Sequence, residues 1–300
     1  FPGSQNACFV LGGKIEIDKP HFSSGGGATN AAASFAHLGL KTATIAKIGN
    51  DDAGQTILND IKNHGVHTSL IVKSDDESTG YSVLLTAASG QRTAVVYRGA
   101  SKTLNIKDIP WKQINAKWFY ISSLGGDIKL VKKIFDFAAS NDIKIAWNPG
   151  SLELKHGERA LKPLIKQADV FSLNREETSQ LTGTMEMDLR GLINKMSEYV
   201  GGIFLLTDGK NGTYACRDRE CFHALPTNVE VVNATGSGDA FGSGFTTGLI
   251  TTDGDIITAL KLGTLNAESV IQKVGAKIGI LKRIPGSRVL ASIKIEPYRI

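Results

Sequence analysis

Short apolar runs alternate with helix-periodic segments along most of this 300-residue chain, and that rhythm leaves few folds open to it. KTATIAKIG (41–49) reads as a strand. DDAGQTILNDIKNHG (51–65) then carries Ile57, Leu58 and Ile61 at helical spacing and ends at Gly65. AKWFYISS (116–123), IKIAWN (143–148), DVFSLN (169–174) and IFLLTDG (203–209) read as buried strands. Between or after them, 127–141, 159–167 and 187–200 read as helices. Strands fed by helices at this spacing predict an α/β fold with a mostly parallel central sheet covered on both faces.

Two stretches break the rhythm. Residues 79–98 hold two β-rich runs joined by AASGQ, a hairpin signature with Gly90 available for a positive-φ turn position. NACFVLGGKIEID (6–18) also reads as β structure, interrupted at Gly12-Gly13. Antiparallel pieces inserted into a βαβ series suit a small second sheet, serving as a lid, a structural flap or a dimerisation surface. No internal repeat or low-complexity linker is visible, so residues 1–300 read as a single domain with a β lid at about 6–19 and 79–98.

Composition acts as a filter on function. Glycine makes up 33 of the 300 residues, or 11%, against about 7% ordinarily. No G-x-y period accounts for the excess, so the glycines mark turns or places where backbone approaches a ligand. The net charge of +5 attracts anions mildly. There is no Lys/Arg block with interleaved aromatics, so nucleic acid is not an expected partner. No apolar stretch reaches the ~20 residues of a membrane span, and no signal peptide is visible, so a cytoplasmic location is expected. Cys8, Cys216 and Cys221 form no usual zinc spacing and read as buried or incidental thiols. His21 and His37 read as ordinary surface or helix residues.

The strongest chemical signal is VEVVNATGSGDAFGSGF (229–245). A β-branched run ends at Asn233, and Gly236, Ser237, Gly238 and Asp239 precede a small-residue helix. Such a turn lets backbone N–H groups converge on an anion at a helix N-terminus. Gly242 and Gly244 keep the first turns slim for packing or ligand approach. Asp239 is expected to stay ionised, because nearby N–H groups favour the charged form. The plainer reading makes Asp239 a helix cap and GSG a tight turn. The segment is neither a Walker sequence nor a dinucleotide fingerprint.

NATGSGDAFGSGF resembles the C-terminal signature D-T-x-G-A-G-D-x-F of the ribokinase-like, or PfkB, family of carbohydrate kinases. GGGATNAAASFAHLG (25–39) resembles the second signature of that family. The resemblance covers residues 23–280 well. It implies a three-layer α/β fold with a small β lid, and an ATP- and Mg2+-dependent kinase acting on an alcohol. Gly236, Ser237 and Gly238 would form the anion hole, and Asp239 would be the catalytic base. Gly26, Gly27 and Asn30 would contact the acceptor. Asn233 stands where relatives carry aspartate, which puts activation by a monovalent cation such as potassium in doubt.

Asn174 and Glu177 match the N-x-x-E motif of the family, with Glu177 reaching magnesium through water; alone, N-x-x-E is an ordinary helix cap. TDGKNG (207–212) resembles the nucleotide-side loop, with Thr207, Gly209 and Gly212 near the triphosphate, and it also reads as a type I′ turn at Asn211-Gly212. Asn266, in a helix expected to flank the purine, is the polar candidate for adenine or ribose. Arg98 would clamp a phosphate or acidic acceptor, or else hold a lid salt bridge.

The acceptor end is less determined. Gly27 replaces the lysine of ribokinase-type GGKGAN, which suits a different sugar or a nucleoside. Gly13 to Asp18 superficially fits the G-x-x-x-x-D pattern that carries the acceptor-binding aspartate. Asp18 precedes Gly25 too closely for the usual intervening lid, so the preferred expectation places that aspartate upstream of Phe1. The rival functions are a nucleoside kinase, a non-catalytic nucleotide- or sugar-binding regulator, and a sugar-phosphate hydrolase. An exposed lid hairpin leaves open both a homodimer through the lid and a monomer.

Overall fold

The structure, a computed structural model, describes residues 11–17, 19–86 and 92–300. The first half runs α1 (Gly27–His37), β1 (Lys47–Gly49), α2 (Asp52–Asn63), β2 (Val72–Ser74), β3 (Tyr81–Thr86) and β4 (Arg92–Tyr97). Then follow β5 (Trp118–Ile121), α3 (Ile128–Ser140), β6 (Lys144–Trp147), α4 (Ser151–Leu154) and α5 (Gly157–Ile165). Next come β7 (Val170–Asn174), α6 (Arg175–Thr182), α7 (Leu189–Ser197), β8 (Ile203–Thr207) and β9 (Thr213–Arg217). The chain closes with β10 (Glu220–Ala224), α8 (Ser237–Thr251), α9 (Ile256–Ile271), α10 (Ser287–Leu290) and β11 (Ile295–Tyr298).

The central sheet has the order β11-β10-β9-β8-β7-β6-β5 and is mixed. Strands β5 to β8 run parallel, each joined to the next by helical crossovers. From β8 to β11 the neighbours are antiparallel; the short β8–β9 and β9–β10 connections permit no other direction, while β11 returns beside β10 after α8, α9 and α10. The side chains of β8 alternate between two cores. Phe204 and Leu206 join Phe135, Trp147 and Phe171 on the face covered by α3, α5, α6 and α7. Ile203 and Leu205 join Phe241, Phe245 and Leu260 on the face covered by α8 and α9. Strands buried on both faces are why these runs read as continuously apolar. The result is a three-layer α/β fold.

Loops at the carboxyl ends of β5 and β6 are tied by a buried carboxylate. Glu153 of α4 is fully buried and accepts N–H bonds from Leu124, Gly126 and Gly150 at 2.7, 2.8 and 2.9 Å. The Ser123 hydroxyl donates to the same carboxylate at 2.9 Å. A buried charge is tolerable only with such full satisfaction.

Residues 81–97 form the expected hairpin, a separate two-stranded sheet of β3 and β4. Its turn and Gly90 lie outside the described residues. The hairpin base is closely packed: a Cβ on Gly99 would lie 2.2 Å from the Ser78 carbonyl oxygen, and one on Gly80 would lie 2.6 Å from that of Arg98. Asp51, which caps α2 through Gly54 N–H, also accepts both the N–H and the hydroxyl of Thr79. These bonds, the Thr79 hydroxyl first, hold the Asp51 carboxyl below the ordinary carboxylate range.

Several expectations are corrected. Within 41–49 only Lys47–Gly49 is a strand, with Ala43 in an isolated bridge to His67. The β-branched residues 229–232 form no strand; Val232 and Asn233 N–H groups instead donate to the Ile271 carbonyl. Residues 11–17 and 19 form no strand either, and 6–10 and Asp18 lie outside the described residues. Cys216 and Cys221 are not thiols: they are joined in a disulfide. They stand directly opposite on β9 and β10, because Asp218 and Arg219 between them both adopt positive φ in a tight two-residue turn. That turn, and not Asn211-Gly212, has the type I′ character, since 209–211 form a 3-10 turn instead.

Replacing the buried carboxylate by an amide would turn N–H groups toward N–H groups. Glu153→Gln is expected to lower stability by about 3 kcal/mol, read as a fall in the urea midpoint; an unchanged midpoint contradicts this role.

Candidate active site

The first turn of α8 begins at a glycine cap. Gly236 caps it in the left-handed region at φ 80°, and Ser237, Gly238 and Asp239 form the turn itself. The leading N–H groups of a helix have no partner within it, and the helix dipole adds positive potential there. A Cβ on Gly236 would lie 2.6 Å from Ala276 Cβ, whereas one on Gly238 would meet nothing within 4 Å. The turn is therefore packed on its Gly236 side and open at Gly238.

Asp239 Oδ2 accepts a hydrogen bond from Asn30 Nδ2 at 2.8 Å. That contact joins α1 and α8 and brings together the two glycine-rich segments that the sequence holds far apart. Gly26 adopts φ 102°, open to glycine but strained for other residues. A Cβ on Gly27 would lie 2.9 Å from Ser122 Cβ and 3.2 Å from Asp239 Oδ1, so glycine is what lets α1 start beside the carboxylate. Asn30 is buried, and its Oδ1 finds no partner among the described residues. An unpaired buried acceptor costs about 1–3 kcal/mol. A hydroxyl donated by a ligand would satisfy it.

The sequence predicts that backbone N–H groups favour the charged form of Asp239; in the structure its surroundings act largely through burial. Burial pushes its pKa up, and the Asn30 hydrogen bond and the Lys277 charge only partly oppose that. Beneath it lies Tyr120 on β5, whose hydroxyl is buried with no partner among the described residues. Burial, and then the Asp239 charge, push the phenol far up, so it stays neutral. Gly242 is glycine for this reason: a Cβ there would lie 2.3 Å from the Tyr120 hydroxyl oxygen. Gly244 likewise packs against Gly263, where a Cβ would be 3.0 Å from Cα. Both serve packing. Tyr120 and Ser122 carried no motif signal, and a polar residue closing an apolar strand is the only local clue to either.

A second group gathers on the same edge of the sheet, at the carboxyl ends of parallel strands where ligands collect. The β7–β8 register pairs Asn174 with Thr207. Asn174 caps α6 by accepting the Glu177 N–H at 2.8 Å, and Glu177 Oε2 accepts the Asn174 N–H at 2.9 Å. The plain capping reading is thus realised in full. Burial nonetheless pushes the Glu177 carboxyl up, with Glu176 adding to the shift and the Asn174 N–H opposing it. Gly209 and Gly212 both have positive φ in the turn that follows Thr207. Arg175 joins this turn to α6 through Asp208 at 2.7 Å.

Other expected site residues stand elsewhere. Asn266 is fully buried: its Nδ2 donates to Ser34 Oγ at 2.9 Å and to the Ala240 carbonyl at 2.8 Å, and its Oδ1 accepts Leu281 N–H at 3.0 Å. It holds α1, α8 and α9 together and has no face left for adenine. Arg98 is exposed at the foot of the hairpin. Asp18 lies outside the described residues. Asn233 Oδ1 accepts the Thr235 N–H at 2.8 Å. His37, read as ordinary, meets His64 at 2.9 Å.

Residues 7–283 match the profile of the family described as pfkB family carbohydrate kinase. The chain belongs to this family. It is 27% identical over 279 residues to a ribokinase from Staphylococcus aureus (strain COL), spanning 90% of this chain and 89% of that one. A probable sugar kinase protein from Rhizobium etli CFN 42 superposes with a TM-score of 0.78 at 26% identity, over 86% of this chain and 80% of that one. A candidate Ribokinase II from E. coli, crystallised with ATP and Mg2+, shares the fold at a TM-score of 0.77 and 20% identity, over 89% of each chain. The general activity of the pfkB family, ATP-dependent phosphoryl transfer to a small sugar or nucleoside, is the activity class of this chain. Among the described residues no helix is long and apolar enough to cross a membrane.

The raised pKa of Asp239 has a kinetic consequence. In a pH profile of kcat/KM, the acid limb is expected above the ordinary aspartate value of about 3.9. Asn30→Ala removes a bond that lowers this pKa and should move the limb to higher pH. A limb at the ordinary value in both proteins would contradict the assignment.

Proposed function

We propose that this chain is an ATP-dependent kinase that transfers the γ-phosphoryl group to an alcohol hydroxyl of a sugar or related small molecule. Asp239 is the base, and the Gly236–Gly238 backbone is the anion hole. The observation that carries this reading is the pairing of Asn30 with Asp239 at the N-terminus of α8, with Asn30 Oδ1 left as a buried acceptor. An alcohol needs two things there, a group to orient its hydroxyl and a group to take its proton. Asn30 supports the first role and Asp239 the second.

Asp239 takes the proton as the acceptor oxygen attacks phosphorus, and burial, which raises its pKa, makes it a stronger proton acceptor than a solvated aspartate. The open first turn of α8 faces the transferring group with fixed N–H donors, which need no reorganisation during reaction. Thr207, Gly209 and Gly212 line the nucleotide side. Magnesium suits Glu177, since a carboxyl disfavoured by burial gains from a cation, and the ion when bound would neutralise phosphate charge. Gly26 and Gly27 would let the acceptor approach backbone, and Arg98 would reach its outer end from the hairpin.

The hairpin supports a further element of this reading. The β3–β4 register places Tyr81, Val83, Leu85, Val95 and Tyr97 on one face, all exposed. A two-stranded hairpin is marginal without cover. A second copy of the chain, which carries the same apolar face, would cover it by two-fold symmetry.

Asp239→Asn is expected to lower kcat about 10²–10⁴-fold, with KM values little changed. Release of ADP across a panel of ribose, fructose, nucleosides and sugar phosphates checks it. Tight binding without ADP release would favour a regulator instead, and phosphate release from a sugar phosphate would favour a hydrolase. Light scattering on the full chain should report a dimer that Val95→Lys dissociates; a monomeric parent chain removes the lid interface.

A further inference from the structure

A buried cation stands behind the acceptor side of this site. Lys277 follows Gly275-Ala276 in the segment after α9 and is 6% exposed. An ammonium carries three N–H donors. Here the acceptors are the Ser24 carbonyl at 2.9 Å, the Ser24 hydroxyl, and Asp60 Oδ2 of α2 at 3.4 Å. The Ser24 hydroxyl in turn donates to Asp60 Oδ2 at 2.6 Å. The ammonium is thus held by two hydrogen bonds to Ser24 and paired with the Asp60 carboxylate.

The position of these bonds is what matters. Ser24 lies just before Gly25, Gly26 and Gly27, the turn that starts α1 and delivers Asn30 to Asp239. The same 275–277 segment packs against the far side of the site: Ala276 Cβ would be 2.6 Å from a Cβ on Gly236, the cap of α8. A Cβ on Gly275, at φ 107°, would lie 3.8 Å from Ser23 Cβ. One short turn therefore touches both the acceptor-side loop and the anion-hole turn.

We propose that Lys277 is a positioning residue, whose ammonium locks the Ser24–Gly27 turn to α2 and to the α8 cap so that Asn30 and Asp239 meet the acceptor hydroxyl in register. The inference rests on the phosphotransferase reading above. Charge supports the geometry. Lys277 lowers the pKa of Asp239, while burial pulls that of Lys277 down and Asp60 and Asp239 push it back up. The other titratable groups nearby are His64, at 3.6 Å from Asp60 Oδ1, and its partner His37, with Lys282 acting on both. Burial lowers both histidines, and Lys277 is the cation whose charge acts on Asp239. Removing an ion-pair partner from a buried site leaves the other group uncompensated, so the arrangement is not readily replaced.

Lys277→Met keeps an apolar stem and removes the charge. With the full chain, MgATP as donor, and D-ribose and adenosine as acceptors, it should raise the acceptor KM about tenfold and leave that of ATP within about twofold. The acid limb of kcat/KM should move to higher pH, because Asp239 loses a cation that lowered its pKa. Ser24→Ala removes an anchor and keeps the charge, so it should raise the acceptor KM with no shift of that limb. An unchanged acceptor KM in folded Lys277→Met overturns the proposal, as does an equal rise in both KM values without a pH shift. If Lys277→Met does not fold, Ser24→Ala and Asp60→Asn decide: a selective rise in acceptor KM supports it, and unchanged values in both overturn it. If the unmodified chain turns over neither acceptor, the kinase reading with these acceptors fails, and amide hydrogen exchange then tests Lys277 separately. Loss of protection over residues 23–27 in Lys277→Met supports the lock, and unchanged protection overturns it.

Discussion

The close approach of α8 to its neighbours is the constraint on which the site depends. Gly242 sits under the Tyr120 hydroxyl, Gly244 over Gly263 and Gly248 over Ala259, where a Cβ would fall 2.4 Å from Cα. Backbones this near leave no room for larger side chains, so the helix has one seat. Polar bonds then fix its rotation. Ser243 donates to Ser34, and Asn266 spans Ser34 and the Ala240 carbonyl, so α1, α8 and α9 form one unit. The direction of the first turn of α8, and with it Asp239, follows from that packing.

Burial around this unit also sets its chemistry. The same apolar surroundings that stabilise α8 disfavour a charged carboxylate, so Asp239 becomes a better proton acceptor than a solvated aspartate. Asn30 and Lys277 moderate the shift without removing it. A carboxyl buried in this way costs stability where it stands. Elsewhere the fold gains from fully satisfied groups such as Glu153 and Glu268, the latter accepting both the N–H and the hydroxyl of Thr227.

Much of the fold was legible because its signals are local. IFLLT alternates between two cores in the structure as a continuously apolar strand must, and α2 starts at a capping Asp51 and ends near Gly65 as its pattern predicts. The hairpin was legible from two β-rich runs around a glycine-containing loop. The 229–232 run misled, because β-branched residues also suit extended loops whose N–H groups bond elsewhere, here to Ile271. Cys216 and Cys221 were misread because their pairing depends on strand register across a tight turn and not on a motif. Asn266 was misread because a polar residue in a helix faces water or core according to what packs on it.

The amino-acid sequence by itself determined the βα alternation and the two glycine-rich junctions, since each depends on periodicity or on the few backbone conformations its residues allow. Only the tertiary structure decided that Asn30 and Asp239 touch, that Asn30 Oδ1 is buried with no partner among the described residues, and that Tyr120 and Lys277 stand around the carboxylate. Those contacts join residues remote along the chain. Their distances and burial arise when helices and strands pack, and no local pattern encodes them.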